Sequence, residues 1–133
     1  MTKKVLILKN DRTGDLFVSL QAINLILNKH SDKEINIFLS NINHKFSFLF
    51  SKLKKKIISM NLSIFEKIKI FFYFLFNEIE TVYILTPKNF YYYVPFFFRN
   101  IKFYGITING QKKRPGSFLL KYLYNYVVLD RLN

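Results

Sequence analysis

The chain is expected to form an α/β domain in which helices cover both faces of a parallel sheet, and three observations predict this. Short apolar runs of strand length recur at Lys4–Lys9, Glu34–Ser40, Thr81–Leu85 and Ile101–Ile108. Segments with apolar residues at helical spacing lie between them, about ten to fifteen residues long where the spacing is clearest. Strands that alternate with helices are joined by right-handed crossovers, which makes the sheet parallel and places helices on both sides. A Rossmann-like layered domain fits this order. A chain of 133 residues holds one such domain with a real core and is too short for two.

Taken in order, KVLILK at Lys4–Lys9 is a strand ended by a polar loop containing Gly14. Asp15–Lys29 follows as a helix with Leu16, Leu20, Ile23 and Leu27 on one side. Glu34–Ser40 alternates and is Ile-rich, hence a strand. The spacing of Phe46, Leu49, Phe50 and Leu53 predicts a helix over Asn43–Lys55, and Ile57–Met60 a short strand. Ser63 and Glu66 match a capping box opening a helix that runs to about Asn77. Thr81–Leu85 is a strand closed by Thr86-Pro87. Asn89–Phe98 is a helix despite Pro95, which removes one backbone donor from its interior. Ile101–Ile108 is a strand and Asn109-Gly110 a turn; a basic loop at Lys112–Gly116, a helix at Ser117–Tyr126 and a last strand at Val127–Asp130 complete the order.

Composition bounds what the domain does. The chain has no Cys, which excludes disulfides, thiolate nucleophiles and zinc–thiolate sites and fits a reducing compartment. Its net charge of +13 is carried almost entirely by Lys and accompanies many Phe, Ile, Asn and Tyr residues. Biased codon usage accounts for that pattern as well as an anionic partner does. The aromatics and lysines do not interleave on any predicted strand, so a nucleic-acid interface is disfavoured. Ile68–Phe76 and Phe90–Phe98 are far below the roughly 18–20 apolar residues a span requires, and they read as buried or interfacial helices.

In parallel sheets ligands bind beyond the carboxyl ends of the strands. That rule selects Asn10–Asp15, Ser40–His44 and Thr86–Asn89. The first loop, Asp11-Arg12-Thr13-Gly14-Asp15, has a single glycine and is neither a dinucleotide fingerprint nor a phosphate-binding P-loop. Gly14 would let the backbone turn sharply or approach a ligand closely. Asp15 sits where a helix begins, so its carboxylate serves either as an ordinary cap or as a general base in the cleft. His30 ends a helix, where a cationic ring complements the dipole. His44, on the ligand side of the sheet, is a candidate substrate contact. The two histidines have no metal-ligand spacing, and no metal is expected. The aromatic run Phe90–Tyr93 with Phe96–Phe98 reads first as core, with a membrane-facing patch as the other reading.

The stretch VLILKNDRTGDLFVSLQAINLIL resembles the start of glycosyltransferase family 9, the bacterial lipopolysaccharide heptosyltransferases. There a first strand leads through a basic residue into Asp-Arg-x-Gly-Asp, an apolar stretch and usually Thr-x-Pro-Ala-Leu. Lys9, Asp11, Arg12, Gly14, Asp15, Ser19 and Ala22 fall into this pattern, whereas Gln21 stands where Pro is usual. More loosely, IKFYGITINGQKKRP at Ile101–Pro115 is similar to the family's strand and following basic loop.

The resemblance implies the N-terminal, acceptor-binding half of a two-domain GT-B glycosyltransferase. Asp15 would be its general base toward an acceptor hydroxyl. Lys9, Asp11, Arg12, Thr13 and Gly14, with Lys112, Lys113 and Arg114, would contact a phosphorylated, lipid-linked sugar, and His44 is a further candidate contact from its place on the ligand side of the sheet. The co-substrate would be a nucleotide sugar held by a donor domain that these 133 residues do not include, so the chain is expected not to transfer sugar alone. A cytoplasmic location is expected, with a separate donor-domain chain and peripheral inner-membrane contact as further expected associations. The rival expectation is a non-catalytic basic module that binds an acidic glycan, a membrane surface or a partner chain.

Overall fold

The computed structural model describes residues 3–50, 53–86, 88–109 and 122–130, with 106–109 and 126–130 as backbone only. Its elements are β1 (Lys4–Lys9), α1 (Thr13–Val18), α2 (Leu20–Lys29), β2 (Glu34–Ser40), a 3-10 segment (His44–Phe50), β3 (Lys54–Ile58), α3 (Ile64–Phe76), β4 (Ile79–Ile84), α4 (Asn89–Phe97), β5 (Lys102–Asn109) and β6 (Asn125–Asp130). The strands form one six-stranded sheet in the order β3-β2-β1-β4-β5-β6. Every neighbouring pair is parallel. This is the strand order of a doubly wound Rossmann-like sheet, as the alternation of elements predicts.

Because both faces are covered, central strands need apolar residues at every position rather than every second one. β1 shows this: Val5 and Ile7 join one core cluster with Leu16, Ile23 and Ile26 of α1 and α2, while Leu6 and Leu8 join the other. That second cluster holds Ile70 and Phe74 of α3 with Tyr91, Tyr92 and Val94 of α4. Helices α1 and α2 therefore lie on one face of the sheet, and α3 and α4 on the other.

Several predicted boundaries shift, each for a physical reason. The helix expected over Asp15–Lys29 begins two residues earlier and divides at Ser19, whose N–H is shared between the carbonyls of Asp15 and Leu16 at 3.2 and 3.1 Å. That sharing tightens one turn toward 3-10 geometry. The helix expected over Asn43–Lys55 is a 3-10 segment followed by β3, so the strand expected at Ile57–Met60 starts at Lys54. Lysine is a good helix former, but pairing with β2 in the register Asn36↔Lys54 to Ser40↔Ile58 overrides that preference. Lysines also suit an edge strand, since charge discourages further pairing.

The capping box at Ser63 and Glu66 is complete: Ser63 Oγ accepts from the Glu66 N–H, and Glu66 accepts from the Ser63 N–H. α4 forms around Pro95 because four of its residues, Tyr91, Tyr92, Val94 and Pro95, are buried, and packing compensates for the missing donor. Half of the helix expected at Ser117–Tyr126 lies outside the described residues. Its last residues form a turn and the start of β6, because Asn125 and Tyr126 pair with Tyr104 and Gly105. Gly105 is a packing glycine: a Cβ there would sit 3.2 Å from both Leu123 and Tyr92. No described helix is long and apolar enough to cross a membrane.

Candidate functional site

β1 has β2 on one side and β4 on the other, and the chain leaves β1 and β4 in opposite directions. A crevice therefore opens between their carboxyl ends, bounded by Asn10–Arg12 on one side and by Leu85, Thr86 and Lys88 on the other. The structure brings together the three loops that the ligand rule selected, through side-chain hydrogen bonds and through backbone bonds from the Leu85 and Thr86 N–H groups to the Leu8 carbonyl.

Lys9 is 3% exposed, and its ammonium donates to Asp11 Oδ2 at 2.8 Å and to the Leu85 carbonyl at 3.0 Å. Asn10 is fully buried: its Nδ2 donates to the Ser59 carbonyl at 3.0 Å, and its Oδ1 accepts from the Tyr91 hydroxyl at 2.7 Å. Ser40 Oγ donates to the Asp11 carbonyl at 2.6 Å and accepts from the N–H groups of Ile42 and Asn43. Asn43 spans the Lys9 carbonyl and the Ser40 N–H. These contacts fix the loops before any ligand arrives, which is the preorganisation a binding site needs.

Two buried atoms stand outside this accounting. Asp11 Oδ1 and Thr86 Oγ1 make no hydrogen bond of good geometry among the described residues, although the Thr86 hydroxyl lies close enough to Asp11 to act on its carboxylate. Buried polar atoms are nearly always paired, so an orphaned pair at a switch point marks a place for a ligand's polar group. Burial raises the Asp11 pKa above its ordinary value of 3.8. The hydrogen bond and charge of Lys9 oppose the shift, Asp15 adds to it, and the nearby Thr86 hydroxyl opposes it only weakly. Thr86 is 2% exposed. Lys88, half-buried at the start of α4, has its pKa lowered by burial, with the Asp11 charge opposing, and no ion-pair partner among the described residues.

The structure distributes the predicted residues unevenly. Asp15 is the third residue of α1 and exposed; Arg12 occupies the N-cap position, so Asp15 is not an ordinary cap. Neither α1 nor α4 has a side-chain cap. Arg12 is exposed and Thr13 half-buried at the mouth of the crevice. Gly14 has no positive φ, and a Cβ there would meet nothing within 4 Å, so its backbone does not need glycine to turn. The room beside it is open to a ligand. His44 is half-buried, with Nδ1 at 3.1 Å from the Asn41 carbonyl. Lys9 is committed to internal partners. Lys112, Lys113 and Arg114 lie outside the described residues.

His30 caps α2 as a buried ring hydrogen-bonded to the Tyr83 hydroxyl at 2.8 Å. Burial first, then Lys29, lowers its pKa below the ordinary 6.5, which favours the neutral ring and corrects the expectation of a dipole-paired cation. Asn10, Ser40, Asn43, Thr86, Lys88 and Tyr91 were not among the individually predicted site residues. Five of them lie in the loops that the ligand rule selected, and Ser40 in particular ends its strand there. Nothing local to Tyr91 points to the crevice.

No family model, curated protein or solved structure matches this chain.

Two open hollows lie elsewhere. One of about 460 Å³ is lined by Phe96–Ile101, and one of about 420 Å³ lies at the opposite end of the sheet between His30, Glu34 and Lys54. Neither contains an orphaned buried polar atom, so the crevice is the better-supported site. No group of His, Asp and Glu able to hold a metal occurs among the described residues.

Proposed function

We propose that the crevice binds the hydroxyl groups of an acidic sugar, and that the chain is the acceptor-binding half of a heptosyltransferase-like glycosyltransferase. The observation that carries this reading is the orphaned pair Asp11 Oδ1 and Thr86 Oγ1, with the Lys88 ammonium close enough to feel the Asp11 charge. A carboxylate oxygen accepts from a sugar hydroxyl, a threonine hydroxyl donates or accepts, and an ammonium with no ion-pair partner among the described residues suits a phosphate or carboxylate on the same ligand. Asp15, exposed on the first turn of α1, takes the proton of the acceptor hydroxyl. That oxygen then attacks the anomeric carbon of a nucleotide sugar, and the nucleoside diphosphate departs from the opposite face. A donor-binding domain on a partner chain or further along this one stabilises the leaving group. The resemblance of Lys9–Ala22 to the heptosyltransferase loop supports this assignment of Asp15.

Binding is tested by titrating a phosphorylated aldose into the chain and reading amide shifts by NMR. Shifts at Asp11, Gly14, Thr86 and Lys88 are expected, and Thr86→Val with Lys88→Met should weaken binding about tenfold or more. Asp15→Ala should leave binding within about threefold while abolishing transfer in the presence of a donor-binding partner. Full transfer by Asp15→Ala removes Asp15 from the chemistry. Absence of shifts in the crevice sinks the site itself.

A further inference from the structure

Helix α3 has an unusual outward side. Its inner side presents Ile70 and Phe74 to the core. Phe71 packs against α4 through Phe97 and Phe98, with ring centroids 5.7 and 5.1 Å apart. The remaining large apolar residues are exposed: Ile64 at 74%, Phe65 at 79% and Phe76 at 80%, with Ile68, Phe72 and Leu75 about half exposed. At helical spacing these six fall within an arc of about 120° that holds no polar side chain. Phe97 and Tyr93 of α4, both more than half exposed, extend the surface. A helix that is apolar inside and outside is normally covered on both sides.

The charges around the arc indicate what covers it. Lys67 and Lys69 are exposed on α3, and Arg99 is exposed just beyond α4. Lys56 of the edge strand reaches toward α3, 5.6 Å from the Tyr73 ring centre. The acidic residues near the arc are Glu66, held by the Ser59 and Ser63 N–H groups, and Glu78 beyond the end of the helix. The rim is therefore basic, in a chain of net charge +13. Two copies meeting on this surface would oppose like charges, whereas an anionic surface complements them. An apolar stripe with cationic flanks is the pattern of a helix that lies in a lipid–water interface.

We infer that the outward face of α3, with the adjoining end of α4, docks the protein onto an anionic lipid surface. α3 lies in the plane of the interface, with Phe65, Phe72 and Phe76 among the acyl chains and Lys67 and Lys69 at the headgroups. The inference stands on this surface alone and does not depend on how the crevice is read. The two are nevertheless linked in the fold, since the Ser59 carbonyl that anchors Asn10 lies just ahead of α3.

The test is flotation with vesicles of phosphatidylcholine alone and of phosphatidylcholine mixed with phosphatidylglycerol. The protein should float with the mixed vesicles and release as salt is raised. Phe65→Ser/Phe72→Ser should weaken partition about a hundredfold, about tenfold for each ring removed, with unchanged circular dichroism and melting. Lys67→Glu/Lys69→Glu should abolish the preference for anionic vesicles. The chain has no tryptophan, so Phe72→Trp supplies a single reporter whose emission should shift to the blue on adding mixed vesicles. The inference is overturned if the protein stays with the soluble fraction, if Phe65→Ser/Phe72→Ser floats like the parent, or if the Phe72→Trp emission does not respond. A stable dimer dissolved by Phe65→Ser/Phe72→Ser would equally overturn it and assign the surface to a second copy.

Discussion

The crevice and the outer side of α3 reverse the usual distribution of residues in opposite senses. At the crevice, Lys9, Asn10, Ser40, Asn43 and Thr86 are polar and buried. Along α3, Ile64, Phe65, Phe72 and Phe76 are apolar and exposed. Either departure is more informative than any number of leucines in a core, because each runs against the transfer free energy of the groups involved. The difference lies in how each is resolved. The buried polar groups are satisfied almost completely within the chain, so their arrangement contributes to stability. The exposed apolar groups are not covered by the described residues, so they contribute little to stability and remain available to an external surface.

Substitutions that follow this contrast should separate the two regions. The largest effect is expected for Lys9→Met, which leaves the Asp11 carboxylate buried without its cation. The loss should be about 3–5 kcal/mol in denaturant unfolding. Removing both charges in Lys9→Met/Asp11→Leu should recover most of it. A loss below about 1 kcal/mol for the single change would mean that water reaches the pair. Next comes Asn10→Ala, which strands the Tyr91 hydroxyl and the Ser59 carbonyl and should cost about 2–3 kcal/mol.

A smaller effect is expected for pH acting through His30. Its folded-state pKa lies below the ordinary 6.5, so its contribution is complete above that value. That contribution is lost as pH falls through the folded-state value. The melting temperature should drop across this window, and His30→Gln should flatten that part of the profile. An identical profile in both proteins would show that His30 does not report there. The smallest effect should come from Phe76→Ser on the outer side of α3, within about 0.5 kcal/mol of the parent. A loss of 2 kcal/mol or more, of the order seen for core aromatics, would show that this surface is covered within the chain.

The sequence was legible where information is local. A continuous apolar run makes a covered strand, and β1 coincides with the predicted Lys4–Lys9 because Val5–Leu8 form such a run between two lysines. Ser63 and Glu66 sit three apart and satisfy each other whatever the rest of the chain does, so the predicted capping box forms. The region after β2 was misread because Phe46, Leu49, Phe50 and Leu53 have helical spacing, yet Lys54–Ile58 finds a better partner in β2. Asp15 was placed correctly at the start of a helix, but its position as third residue with Arg12 at the cap depends on where the turn closes.

What the sequence determined by itself is the alternation of strands and helices, hence the parallel doubly wound sheet and the end of it where a ligand is expected. Apolar periodicity and caps act over a few residues and survive any rearrangement of the whole. Only the tertiary structure decided that Lys9 is an internal ion-pair partner, that Asn10 bridges to Tyr91 across 81 positions, and that Asp11 and Thr86 are left with free acceptor and donor capacity. It also decided which side of α3 faces outward, since a helix apolar around most of its circumference carries no mark of its own for the side to be buried. Those outcomes depend on groups brought together from distant parts of the chain, and the local pattern holds no record of them.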